Sequence, residues 1–288
     1  MNCDLCGRHC NVDRRIKNGF CGLPKEPVIA KAGLHFWEEP CISGKSGSGT
    51  VFFSGCSLKC VFCQNYNLSH NNFGKKISVE RLAEIYKELE EQGANNINLV
   101  TPTHFVDAIE KSLEIYRPKI PIVYNTSGFD TAETINRVSK FADIFLIDLK
   151  YLSNSKSKKY SKAENYPEIA TSAIMECQNH IKKAEFCNDI MQKGIIIRHL
   201  LLPSGTKEAI RVIDWIKKNA DNCYFSLMSQ YTPFGDLSDF PEINRKVTKR
   251  EYEKVLEYLI DSELQNVYIQ DLDSSSEKYI PDFNLSGV

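Results

Sequence analysis

The sequence predicts an α/β chain whose parallel strands curl into a partial or full (β/α) barrel, preceded by a small cysteine-rich extension. Three observations lead there. From residue 50 onward, short β-branched or apolar runs alternate with longer segments of helical period. Polar residues gather just past the ends of those runs, where a βα barrel collects its chemistry. Before residue 50, glycines and cysteines crowd a stretch with room for two regular elements at most.

At 288 residues the chain suffices for one large domain plus an appendage, here an extension at 1–49 and a barrel at 50–288. Its 36 basic and 37 acidic side chains nearly cancel, so no global field favours nucleic acid or an anionic membrane. Charges and cysteines break the first twenty residues repeatedly. No signal peptide or membrane span is expected there, and a cytoplasmic location follows. In a reducing compartment the eleven cysteines read as metal ligands or buried apolar residues rather than disulfides.

The extension opens with Cys3-x2-Cys6-x3-Cys10-x10-Cys21, enough thiols for a closed site whose metal folds a segment poor in apolar residues. The spacing admits structural zinc or an auxiliary iron-sulfur cluster. Arg8 and His9, inside the knuckle, read as solvated surface or a partner contact. "HFWEEPCISG" then brings His35, Trp37, Glu38, Glu39 and Cys41 together. Its carboxylates beside a thiol can handle protons, or else Trp37 packs the extension on the barrel while the glutamates meet Lys and Arg. "SGKSGSGT" is a flexible entry turn and not a phosphate loop, because Glu39 stands where G-x-x-x-x-G-K-S needs its first glycine.

The expected strands run over 50–55, 96–101, 120–125, 143–150, 194–202, 224–230 and 266–270. Between them, Ser78 starts a helix with Leu82, Ile85, Tyr86 and Leu89 on one stripe and Gly93 as its stop. Pro167 suits the first turn of a helix reaching about Met191, and Thr248-x-x-Glu251 is a capping box. The Lys/Ser-rich stretch 152–165 reads as an exposed loop. Cys177, Cys187 and Cys223 read as helix or core residues.

"SGCSLKCVFCQN" (54–65) follows the first strand and places Cys56, Cys60 and Cys63 together without a fourth cysteine. Three thiolates hold three irons of a cubane cluster and leave the fourth iron open to an exogenous ligand. By spacing alone, a zinc site completed elsewhere, for example by His70, also fits. Placement after the first strand of a barrel favours iron-sulfur chemistry. Small Gly55 and Ser57 let the backbone wrap the cluster, and Phe62 is placed to shield one side.

Cys56-x3-Cys60-x2-Cys63 with Phe62 resembles the signature of the radical S-adenosylmethionine (SAM) enzymes. "CDLCGRHC", "HFWEEPCISG", "CVFCQNYNLS", "NINLVTPTHF", "YNTSGF" and "IRHLLLP" resemble the branch described as pyruvate formate-lyase activating proteins, across nearly the whole chain. The resemblance implies a radical SAM barrel and an open 4Fe-4S cluster that binds the SAM amine and carboxylate. Reductive cleavage then yields methionine and a 5'-deoxyadenosyl radical for hydrogen abstraction. It also implies a low-potential electron donor such as flavodoxin or ferredoxin. The substrate is a glycyl-radical enzyme or, alternatively, another peptide or a small molecule.

Residue by residue, Asp148 and Lys150 match the Asp-x-Lys that lies near SAM. Arg198 matches the arginine suited to the SAM carboxylate. Asn125, Ser127 and Gly128 match a turn close to the methionyl part. Where many relatives carry Gly-Gly-Glu for the SAM amine, this chain has "LVTPTHF", which leaves Thr101 and Thr103 to receive it. His104 is the catalytic candidate of that stretch, facing substrate, donating a proton or contacting SAM, unless it caps the next helix. The reading from a different class is a metal-binding scaffold with two cysteine sites and no catalysis.

Overall fold

The computed structural model describes residues 2–272 and 282–288. In chain order, β1 (Val28–His35), helix α1 (Pro40–Ser43), β2 (Ser48–Phe53), the short helix α2 (Tyr66–Ser69), β3 (Lys75–Lys76) and α3 (Val79–Glu91) come first. β4 (Ile97–Val100), α4 (Val106–Ile115), β5 (Ile122–Thr126), α5 (Ala132–Val138), β6 (Ile144–Asp148), α6 (Asn154–Ser161) and α7 (Tyr166–His180) follow. β7 (Glu185–Cys187), β8 (Ile190–Leu200), α8 (Thr206–Asn219), β9 (Tyr224–Met228), α9 (Lys249–Asp261) and β10 (Val267–Ile269) complete the chain of elements.

The strand order β10-β9-β8-β6-β5-β4-β2-β1-β3 places every expected strand in one sheet. From β2 to β10 all neighbours are parallel, while β1 and β3 add antiparallel strands on the β2 side. Among the described residues nothing pairs β10 with β3, so the barrel is partial. Its strands alternate between two buried faces. Tyr124, Phe145 and Ile147 pack in the main core with Ile85, Ile109, Ile174 and Ile213 of the covering helices. Val123, Ile144, Leu146 and Ile196 point the other way, onto the concave face, and meet Cys41 and Ile42 of α1 there. Asn95 and Asn96, just before β4, donate to Ser43 O and Ile42 O at 2.7 Å each. Helix α1 thus packs at the amino-terminal end of the barrel, opposite the carboxyl ends of the strands.

The expected caps form: Arg81 N donates to Ser78 Oγ at 3.2 Å, and Thr248 and Glu251 make a reciprocal capping box. Three expectations are corrected. The stretch 152–165 is not a loop, because Ser153 caps helix α6, whose Ser157, Tyr160 and Ser161 are buried while its lysines face outward. Helix α7 stops at His180, not near Met191, because Asn188 and Asp189 both take left-handed conformations and turn β7 into β8 as a two-residue hairpin. Cys187 is accordingly exposed on β7, whereas Cys177 and Cys223 are buried.

Candidate functional site

A cavity of about 220 Å³ opens at the carboxyl ends of the strands, with Val100 of β4, Asn125 of β5, Asp148 of β6, Arg198 of β8 and Met228 of β9 in its wall. Lys150 and Gln230 continue from β6 and β9, and Gln64 and Asn65 enter directly after Cys63. His35, Trp37 and Glu38 reach in from the amino-terminal segment.

Its charged groups form one network. Arg198 donates from Nε to Asp148 at 2.9 Å, from Nη1 to Glu38 at 3.2 Å and from Nη2 to the Asn125 amide oxygen at 2.7 Å. Lys150 Nζ lies 2.6 Å from the other Asp148 oxygen. Asn98 and Asn125 donate to Glu38 Oε1 at 3.0 and 3.3 Å. Burial alone would raise the Asp148 carboxyl, but Lys150 and Arg198 outweigh it and hold the carboxyl below its ordinary value. For Glu38 burial prevails over Arg198, and its carboxyl is raised. Burial also raises Glu39, whose Oε2 has no hydrogen-bond partner. Arg198 stays a cation: burial opposes its charge, but Asp148, Glu39 and Glu38 more than compensate.

The cysteine trio sits beside this cavity. Gly55 has φ +80°, and a Cβ there would come within 2.7 Å of Leu23 and 3.1 Å of Cys21 O, so the loop entry needs glycine. Leu58 N donates to Cys56 Sγ at 3.3 Å, and Ser161 Oγ lies 3.1 Å from Cys60 Sγ. The Ser69 hydroxyl and the Asn65 backbone serve Cys63, whose thiol burial pushes up to about 12. Phe62 packs edge-on against Tyr160 and Tyr231 with ring centroids 6.3 and 5.9 Å away. Among the described residues no three His, Cys, Asp or Glu side chains stand at ready-made metal-binding spacing. What fits a cluster is the donor set: three thiols in one loop, Cys60 buried and Cys56 and Cys63 half-buried, with N–H and O–H groups placed to stabilise anionic sulfur. His70, the other candidate ligand, stacks on Tyr66 at 4.1 Å and lies 2.8 Å from Ser69 Oγ.

Cys3, Cys6, Cys10 and Cys21 line a second, enclosed cavity of about 20 Å³ together with Arg8, Phe20, Ser57, Thr103 and His104. Phe20 N donates to Cys10 Sγ at 3.4 Å, and burial pushes the Cys6 thiol up to about 12. Four thiols on one small enclosed space suit a soft metal.

Of the sequence-derived cofactor residues, the fold brings Asn125, Asp148, Lys150 and Arg198 to the larger cavity and does not bring Thr101, Thr103, Ser127 or His104 to its wall. Thr101, directly after β4, has φ +59° and donates its N–H to Asn125 O at 2.9 Å. The Thr103 hydroxyl serves Tyr124 and Asp130, and Ser127 O accepts from Tyr166 Oη at 2.9 Å. His104 is buried with Nε2 2.6 Å from Ser54 O. Burial, then the nearby Arg14 charge, push it down to about 3, which keeps the ring neutral at physiological pH. Sequence reasoning did not place Glu38, Trp37, Gln64, Asn65 or Met228 at the cavity, whereas Gln230 lies in "SQYTPF", which it set at the end of a strand. The paired carboxylates of "HFWEEP" were the one signal that pointed toward Glu38.

A family model described as Radical SAM superfamily matches residues 50–216. An uncharacterized protein of Methanocaldococcus jannaschii is 32% identical over 277 residues, which cover 93% of this chain and 77% of that one. The pyruvate formate-lyase-activating enzyme of Clostridium pasteurianum is 23% identical over 223 residues, covering 74% of this chain and 86% of that enzyme. Among solved structures, Streptococcus suis SuiB bound to precursor peptide SuiA is similar at a TM-score of 0.48 and 15% identity. That match covers 75% of this chain and 46% of SuiB, so the chain spans less than half of that protein.

Proposed function

The chain belongs to the radical SAM superfamily, and on that premise we propose that it binds SAM in the cavity bounded by Asn125, Asp148, Lys150 and Arg198, next to a 4Fe-4S cluster held by Cys56, Cys60 and Cys63. The cluster, when bound, supplies the electron that cleaves the SAM sulfonium and so permits hydrogen abstraction from a substrate. The observation that carries this reading is the convergence of two cations and two carboxylates immediately beside the residues that follow Cys63.

The protein's part is to orient the amino-acid end of SAM and exclude water. Arg198 and Lys150 present N–H donors suited to a carboxylate, Arg198 through a planar fork. Glu38, held at both oxygens, supplies the carboxylate for the ammonium that the missing Gly-Gly-Glu would otherwise receive. Thr101 supports the same side through its bond to Asn125 O. Thr103, Ser127 and His104 act behind the wall, positioning neighbours rather than touching SAM. The four amino-terminal cysteines hold structural zinc or an auxiliary cluster.

For the substrate, the reading favours a protein segment presented at the mouth, because α1 packs at the opposite, amino-terminal end of the barrel. Likeness to a pyruvate formate-lyase-activating enzyme supports a backbone glycine that loses its Cα hydrogen. A low-potential protein such as flavodoxin or ferredoxin serves as electron donor.

The test is an iron, sulfide and zinc count on anaerobically purified protein, with detection of 5'-deoxyadenosine after reduction in the presence of SAM. About four irons per chain and deoxyadenosine are expected, or about eight irons without zinc if the amino-terminal site holds a second cluster. No iron and no cleavage overturns the reading and leaves a scaffold.

A further inference from the structure

We propose that Arg8 is a positioning residue that couples the amino-terminal four-cysteine site to the cluster-binding loop. The proposal rests on the reading that Cys56, Cys60 and Cys63 hold a cluster. Arg8 lies between Cys6 and Cys10 in "CGRHC", so whatever metal those cysteines bind fixes its backbone on both sides.

Its guanidinium bridges two separate segments, residues 57–58 and 161–162. Nε donates to Ser57 O at 2.7 Å, and the terminal nitrogens donate to Leu58 O at 3.4 Å, Ser161 O at 2.8 Å and Lys162 O at 2.5 Å. Ser57 and Leu58 are the backbone between Cys56 and Cys60, and Ser161 is the residue whose hydroxyl meets Cys60 Sγ at 3.1 Å. One side chain therefore grips the loop and the helix end that backs it. The planar fork suits this, because several fixed donors are satisfied at little cost in freedom. The ring of Phe20, whose own N–H points at Cys10 Sγ, lies 3.8 Å beneath the guanidinium and holds it flat. On the other side of Cys56, His104 reaches Ser54 O at 2.6 Å while lining the same four-cysteine cavity.

The charge points the same way. Its four hydrogen bonds go to backbone carbonyls and not to a carboxylate, whereas the thiols of Cys6, Cys10, Cys56 and Cys60 all lie within range of its field. Those thiols become anionic when they ligate metal. Arg8 is then the cation shared by both sites, and loading one pre-organises the loop that serves the other.

The test compares the anaerobically purified full chain with Arg8→Ala and Arg8→Lys. Arg8→Ala is expected to keep its amino-terminal metal but lose the cluster to an iron chelator about tenfold faster, the scale of one lost charge-assisted hydrogen bond. Its cluster potential should fall, because reduction adds negative charge that Arg8 no longer offsets. Arg8→Lys keeps the charge and should restore the potential while recovering only part of the lifetime. Unchanged potential and lifetime in Arg8→Ala, with amino-terminal metal retained, overturns the proposal.

Should Arg8→Ala fail to fold, hydrogen exchange on the wild-type chain decides instead. Removing the amino-terminal metal should lower protection at Leu58 and Val61, and equal protection with and without that metal overturns the coupling. A wild-type chain without iron and sulfide overturns the underlying cluster reading, a result distinct from either of these.

Discussion

Arg198 and Glu38, 160 positions apart in the chain, meet at 3.2 Å inside the cavity. Arg198 comes from strand β8 and Glu38 from the segment before β2, so residues far apart in the chain share one cavity wall. The pair is almost buried, with side-chain exposures of 13% and 11%, and Asp148 shares the same guanidinium. Such a network is well satisfied as a whole and costly to break at one member.

Arg198→Ala should therefore lower stability by about 3–5 kcal/mol, since Asp148 and Glu38 are left with one cation between them. It should also weaken SAM binding at least about tenfold while the cluster is retained. Thermal unfolding and equilibrium SAM binding on the iron-loaded protein check both. Unchanged SAM affinity would remove Arg198 from the binding role.

Replacing Glu38 with Gln should weaken SAM binding by about tenfold, the scale of one charge-assisted contact, and leave the affinity for an analogue lacking the α-amino group unchanged. An equal loss for both ligands would mean that Glu38 acts only by holding Arg198.

Cys60→Ala is expected to abolish cluster assembly and SAM cleavage together while leaving any metal bound at the first four cysteines in place. The measurement is a metal count with a 5'-deoxyadenosine assay, and wild-type activity in this variant would refute the cluster assignment.

Glu242 is expected to contribute stability that fades in acid. Lys159 and then Tyr160 Oη, each 2.6 Å away, hold its carboxyl down to about 2, from 4.5 unfolded. A depressed carboxylate contributes fully above the unfolded value and loses that contribution as pH falls toward the folded one. The gap in melting temperature between wild type and Glu242→Gln should therefore shrink from pH 5 to pH 2.5. A gap constant over that range would assign the effect to packing.

Gly128→Ala should reach the site through the backbone. Gly128 has φ +77°, and a Cβ would fall 2.3 Å from Asp148 O. A loss of about 1–3 kcal/mol is expected, with weaker SAM binding because β6 must shift and carries Asp148 with it. A stable variant with wild-type affinity would show that β6 tolerates the displacement.

The parallel strands were legible because a strand buried on both faces must be a run of β-branched and apolar residues, as "DIFLID" and "GIIIR" are. The capped helices α3 and α9 were legible because their orphan N–H groups call for Ser78, Thr248 and Glu251 at fixed offsets. Helix α6 was not. Its lysines and serines look like a loop, and only the packing of Tyr160 and Ser161 behind Cys60 makes it a helix worth burying.

The sequence by itself determined the alternation of strands and helices, the cysteine trio after the first parallel strand and the polar residues at the strand ends. These are local properties of period and spacing. Only the tertiary structure decided that Glu38 answers Arg198, that Arg8 grips the loop of Cys56 and Cys60 and that His104 lies behind the wall. Each depends on which distant segments share a surface, and no periodicity in a single chain encodes that.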